Sequence, residues 1–212
     1  MPACMKISLL SLLIFISAFT LGQKKAFPDL KGDKESFVKL IDSTLRYELA
    51  SFTIEGQNTI ESTSKLIEFN LTKFSSNFSQ FELDSFKVRV TMGKFEKSKH
   101  KISYLDKYAL KIDNKPIYGT DGELPSTQIN SITVVIGSDS VTIPKIEYAD
   151  LFQPSLSRKE GKETVGRLHV YASKDRQRIY IYMENSESAG AYEATFIIQD
   201  KKYSRRVIDY GY

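Results

Sequence analysis

Between Gln177 and Asp209 the chain alternates apolar and polar residues with a period of two, and this pattern restricts the fold more than any other stretch. Ile179, Ile181 and Met183 fall on one side of an extended backbone and Arg178, Tyr180, Tyr182 and Glu184 on the other, because successive side chains of a strand point to opposite faces. The polar run Asn185 to Gly190 is long enough for a hairpin loop, after which Tyr192, Ala194, Phe196 and Ile198 resume the alternation. Asp200-Lys201 suits a tight turn into a more charged return strand, Tyr203 to Tyr210. Upstream, Leu168 and Val170 belong to a strand that turns at Ser173 to Arg176. Four consecutive strands joined by short loops predict an antiparallel meander.

The remaining chain reads as mainly β with one helix. Asp33 can cap a helix over Lys34–Ala50 in which Phe37, Ile41 and Leu45 face a core and Lys39, Asp42 and Arg46 face water. A strand is expected over Thr59–Leu71. The alternation of Phe86, Val88, Val90 and Met92 with Lys87, Arg89 and Thr91 predicts a half-buried strand, and the opposite parity of Phe81 and Leu83 predicts a bulge or a strand start near Asp84-Ser85. Lys94–Lys101 reads as a solvated loop and Ile102–Ile112 as a further strand. A second hairpin follows around Gly137–Ser140, then one helical turn near Tyr148 and a polar loop over Gln153–Val165. One helix and about nine strands predict an antiparallel β-sandwich-like domain over residues 33–212, with the amphipathic helix packed on it. An α+β arrangement is the alternative.

The N-terminus carries the pattern of a secretory signal. Lys6 precedes the apolar run Ile7–Leu21, and Gly22-Gln23-Lys24-Lys25 follows it. That run is shorter than the roughly 20 apolar residues a membrane span needs. Residues 1–22 are therefore expected to be a cleaved signal peptide, with an uncleaved N-terminal anchor as the alternative, and 23–32 a mobile leader. The single cysteine, Cys4, lies inside the signal, so removal of 22 of the 212 residues leaves 190 with no cysteine. A disulfide, a thiolate nucleophile and a cysteine metal site are thereby excluded, and a secreted chain of this size without a disulfide suggests a bacterial periplasmic or extracellular protein. Loss of Lys6 takes the formal charge from +4 to +3, unlike the dense basic footprint of a nucleic-acid binder.

Few residues offer chemistry. His100 lies in a lysine-rich loop, and His169 shares a strand face with Tyr171, opposite Leu168 and Val170. A nucleophilic triad would need one of these as its base. Glu184, Glu187 and Glu193 flank one hairpin loop, and paired carboxylates can cleave glycosidic bonds when held at a fixed separation. Tryptophan, a common sugar platform, is absent from the sequence. Asp113, Asn114, Asp121 and Glu123 supply oxygen ligands near a turn, but their spacing matches no defined calcium loop. No metal site or cofactor is expected. The candidate partner-binding residues are Arg178, Tyr180 and Tyr182, which form an exposed stripe if the opposite isoleucine face is core. If the helix or another sheet covers that face, the tyrosines belong to a second core.

The leader ending Leu21-Gly22-Gln23-Lys24-Lys25, the block Gly190–Ile198, and Asp200–Tyr203 with Arg206–Gly211 resemble the ends of uncharacterised secreted and envelope proteins of Bacteroidota-type bacteria. Asp42-Ser43-Thr44 and Asp139-Ser140-Val141 resemble the short O-glycosylation sites of such bacteria. The resemblance implies location, and it carries over no activity and no functional residue. The expectation is an exported, non-enzymatic protein that binds a protein or glycan partner, with an inhibitor or immunity-type role as one version. The alternative is an envelope hydrolase using Glu184 and Glu193 or His169.

Overall fold

The structure is a computed structural model that describes residues 35–161, 163–185 and 190–210. The expected signal peptide, the leader, the Asp33 cap and Glu187 lie outside these residues. Helices α1 (Ser43–Leu49) and α2 (Ile54–Thr59) come first, after a single 3-10 turn, Phe37–Lys39. The strands that follow are β1 (Ile67–Glu68), β2 (Asn70–Ser75), β3 (Phe78–Leu83), β4 (Phe86–Lys94), β5 (Ile102–Leu105), β6 (Tyr108–Ile112), β7 (Lys115–Pro116) and β8 (Thr127–Ile136). Then come β9 (Asp139–Thr142), β10 (Ser157–Glu160), β11 (Glu163–Gly166), β12 (Leu168–Ala172), β13 (Arg178–Asn185), β14 (Tyr192–Gln199) and β15 (Lys202–Tyr210).

Two five-stranded antiparallel sheets carry the architecture. The first has the order β1-β12-β13-β14-β15, and the second β2-β3-β4-β8-β9. The four-strand meander expected at the C-terminus is present, extended at one edge by β1. Val170, Ile179, Ile181, Met183, Ala194, Phe196 and Ile198 from the first sheet meet Phe81, Val88, Val90, Ile132 and Val134 from the second in one buried core. A sandwich with an apolar interior results, as the two alternating patterns require. A smaller sheet, β5-β6-β7, sits between β4 and β8 in sequence over its own cluster of Phe95, Ala109, Ile112, Ile117 and Phe152, and β10-β11 form a separate hairpin. Among the described residues no helix is long and apolar enough to cross a membrane.

Several boundaries differ from the sequence expectations, each for a local reason. The expected Lys34–Ala50 helix is interrupted, because the Asp42 carboxylate accepts a bond from Leu45 N at 3.0 Å and caps α1 there. The turn at Phe37–Lys39 and the extended Leu40 break the helical phase, so Phe37 and Leu45 are buried while Ile41 is 96 % exposed. Arg46 tucks over the Phe37 ring, 5.6 Å from its centroid, instead of facing water. Of the strand expected over Thr59–Leu71, Thr59 ends α2, residues 60–66 form no regular element, and only β1 and the start of β2 are strand. Thr53 caps that helix by accepting from Gly56 N at 3.1 Å. A Cβ on Gly56 would lie 2.6 Å from Ala50 Cα, so glycine is what lets the two helices pack so closely.

Of the bulge or strand start expected near Asp84-Ser85, the strand start is what occurs: the pair forms a hairpin turn, with Asp84 left-handed at φ 51°, and β4 begins at Phe86. Ile102–Ile112 is likewise two strands folded at Asp106, φ 54°. Short polar side chains tolerate this region. The Gln153–Val165 loop contains the β10-β11 hairpin, and Phe95 in the expected solvated loop is buried.

Candidate functional site

The face of β13 that carries Arg178, Tyr180 and Tyr182 is covered by the N-terminal segment. Phe37, Leu40, Leu45, Leu49 and Ala50 pack with Tyr180, Ile197 and Val207 into a second core. Phe52 lies over three rings of the sheet, with centroids 4.6 Å from Tyr171, 5.6 Å from Tyr180 and 5.5 Å from Tyr182. Tyr180 is fully buried and Tyr182 is 5 % exposed. Of the two readings of this face, the exposed stripe is not what forms, and the tyrosines belong to a second core. The strand alternation is right, but the apolar side of the covering segment seals the second face as well.

Polar groups lock this cover in place. Glu48 of α1 accepts from Arg178 Nε at 2.7 Å and Nη2 at 2.9 Å, a bidentate pair, and also accepts from the Tyr180 hydroxyl. The bond to Glu48 holds the Arg178 guanidinium above its ordinary pKa, and burial followed by the Glu48 contact raises the Tyr180 phenol. Across the other strands, Glu184, Glu193 and Asp209 stand in register as one row of carboxylates. Glu184 pairs with Arg167 at 3.1 Å. Glu193 accepts from Ile54 N at 2.8 Å, Glu55 N at 2.7 Å and the Tyr182 hydroxyl at 2.9 Å. Asp209 accepts from Phe37 N at 3.1 Å and from the Ser36 hydroxyl. Each of the last two carboxylates thus satisfies backbone N–H groups of the covering segment.

Burial raises the Glu193 carboxyl, against the opposing bonds from Glu55, Ile54 and Tyr182, and burial likewise raises Asp209 against Ser36 and Phe37. A carboxyl whose folded pKa exceeds its unfolded value binds protons more tightly when folded. Its contribution is fully present below the ordinary values of 4.5 and 3.8 and is lost as pH rises through the raised folded values. Melting temperature is expected to climb as pH falls from neutral toward the ordinary carboxylate range, and Glu193→Gln should flatten that slope. Glu96, Asp113 and Asp175, which are lowered, oppose it only at more acid pH. A differential scanning series in pH checks the sign.

The residues of the hydrolase alternative are thus committed to internal partners. Glu193 is 3 % exposed beneath α2. His169 faces Glu68 across the β1 edge at 3.0 Å and stacks on Tyr171. His100 stacks on Phe95 and bonds Asp113 at 2.7 Å. No group of three or more potential metal-ligating side chains occurs among the described residues.

A different feature opens at the loop end of the sandwich. A cleft of about 460 Å³ is lined by Gly119, Thr120, Asp121, Glu123, Thr127, Gln153, Pro154, Ser155 and Asn185. Its walls are tied by Gly119 N to Gly190 O at 2.9 Å, Gln153 N to Thr127 O at 3.2 Å, and Asn185 Nδ2 to Gln153 O at 2.8 Å. Gly119 has φ 98°, and a Cβ there would sit 2.0 Å from Phe152 O. Gln153 has φ 49° directly before a proline, whereas the other non-glycine residues with positive φ lie in turns between paired strands. Strained backbone of this kind gathers where loops are held for binding. Asp121 and Glu123 stood out in the sequence as oxygen donors. Gln153, Ser155 and Asn185 did not, because their approach depends on the bridges Tyr118–Leu151 and Gln128–Phe152.

No family model, no curated protein and no solved structure matches the chain.

Proposed function

We propose that this chain is an exported, non-enzymatic binding protein of the bacterial envelope that engages its partner through the loop end of the sandwich. The observation that carries the reading is the braced polar cleft, whose size falls within the range of ligand sites. The sealing of the tyrosine face directs attention to this end. Export and envelope location rest on the leader pattern and on the resemblance of the chain ends. The hydrolase reading has less support, since Glu184, Glu193 and His169 are held by Arg167, the α2 backbone and Glu68.

Site-specific photo-crosslinking in intact cells tests the proposal. A photoreactive residue at Thr127 should trap a discrete envelope component, and one at the exposed Lys87 on the second sheet should not. Absence of a product at Thr127, or an envelope-glycan hydrolysis abolished by Glu193→Gln, would contradict it.

A further inference from the structure

Resting on the binding reading above, we propose that the cleft takes a neutral or amine-bearing saccharide. Its lining supplies carboxylates from Asp121 and Glu123, amides from Gln153 and Asn185, and hydroxyls from Thr120, Thr127 and Ser155. Such groups exchange hydrogen bonds in both directions with a polyol. None of the described lining residues is cationic, so the carboxylates of Asp121 and Glu123 meet no counter-charge among them and disfavour sulfated, phosphorylated or carboxylated glycans. Among the described lining residues Pro154 alone has an apolar side chain, which leaves a hydrophobic peptide anchor little to bury against.

A second observation points the same way. Thr120 is 8 % exposed, and its Oγ1 is one of three buried side-chain polar atoms without a hydrogen-bond partner among the described residues. The other two, Arg46 Nε and Ser79 Oγ, lie away from this cleft. Buried hydroxyls are nearly always satisfied, so this unpaired hydroxyl on a cleft-lining residue is a bond that a hydroxyl-bearing ligand gains if binding uncovers it. The carboxylates set the preference for a neutral or amine-bearing sugar, while the left-handed Gly119 and Gln153 hold the walls in position before binding.

The test is titration calorimetry of the full mature chain against cello-, manno- and chito-oligosaccharides, chitosan oligomers, and a sulfated oligosaccharide. At least one neutral or amine-bearing oligomer should bind, the sulfated one should not, and Asp121→Asn with Glu123→Gln should weaken binding tenfold or more. Both carboxylates are exposed, so the double variant should keep the parent melting temperature. Thr120→Val provides a second readout, with weaker binding on an unchanged fold. Failure of every neutral and amine-bearing oligomer, preference for the sulfated probe, or undiminished binding by the double variant overturns the inference. So does a melting shift with calcium chloride alone that Asp121→Asn and Glu123→Gln abolish, which would make the cleft a cation site. A crosslink at Thr127 with no saccharide binding would leave the binding reading standing and remove only the ligand class.

Discussion

Replacing Tyr180 and Tyr182 together by Ser is expected to remove roughly 5 kcal/mol or more of folding stability, since each buried aromatic deletion costs about 3–5 kcal/mol and the neighbouring sites share a cavity. Both rings lie under Phe52 and the α1–α2 segment. Loss of the Tyr180 hydroxyl also removes a donor from Glu48, and loss of the Tyr182 hydroxyl removes one from the buried Glu193. Most domains have only about 5–15 kcal/mol in hand, so the double variant should approach global unfolding at ambient temperature. The urea midpoint reads the effect. A midpoint equal to that of the parent, with loss of a partner, would restore the exposed-stripe reading.

A comparable loss, about 3–5 kcal/mol, is expected from Arg206→Met, because it leaves a buried carboxylate without its counter-charge. Arg206 makes a bidentate pair with Asp150 at 2.6 and 2.8 Å, donates to Glu147 O at 2.7 Å and reaches Glu35 at 2.8 Å. The side chains of Arg206 and Asp150 are 8 % and 4 % exposed. This cluster joins the edge strand β15 to the loop before β10 and to the start of the covering segment. Arg206→Met combined with Asp150→Leu should recover much of the loss, since replacing both partners of a buried pair by apolar groups is often neutral. Denaturation midpoints of the three variants would decide this, and a double variant no better than the single would show that geometry and not charge dominates.

How far the sequence disclosed this molecule depends on the range of the interactions involved. The β13-β14-β15 meander was legible because alternation is local and its turn residues announce themselves. Asp200 and Lys201 sit at φ 50° and 62°, as a two-residue hairpin turn demands. The alternation of β13 also assigned its two faces correctly, with Ile179, Ile181 and Met183 in the main core. What it could not assign was the fate of the second face. Whether Tyr180 meets water or Phe52 depends on where α1 and α2 dock, some 130 residues away in sequence, through Glu48–Arg178 and Glu193–Ile54 contacts with no periodic signature. The row Glu184–Glu193–Asp209 was hidden similarly, because acids at the end of a hairpin read as solvated charges until cross-strand register aligns them. The cleft was visible only through Asp121 and Glu123. Its remaining walls come from loops brought together by single bridges.

The central claim is that the tyrosine face of the first sheet is a sealed second core, and tyrosine nitration of the native protein with peptide mass mapping tests it most directly. Tyr47 and Tyr104, 52 % and 47 % exposed, should be modified, whereas Tyr180 and Tyr182 should stay unmodified until the chain is denatured. Nitration of Tyr180 and Tyr182 in the folded protein at the rate of Tyr47 and Tyr104 would contradict it.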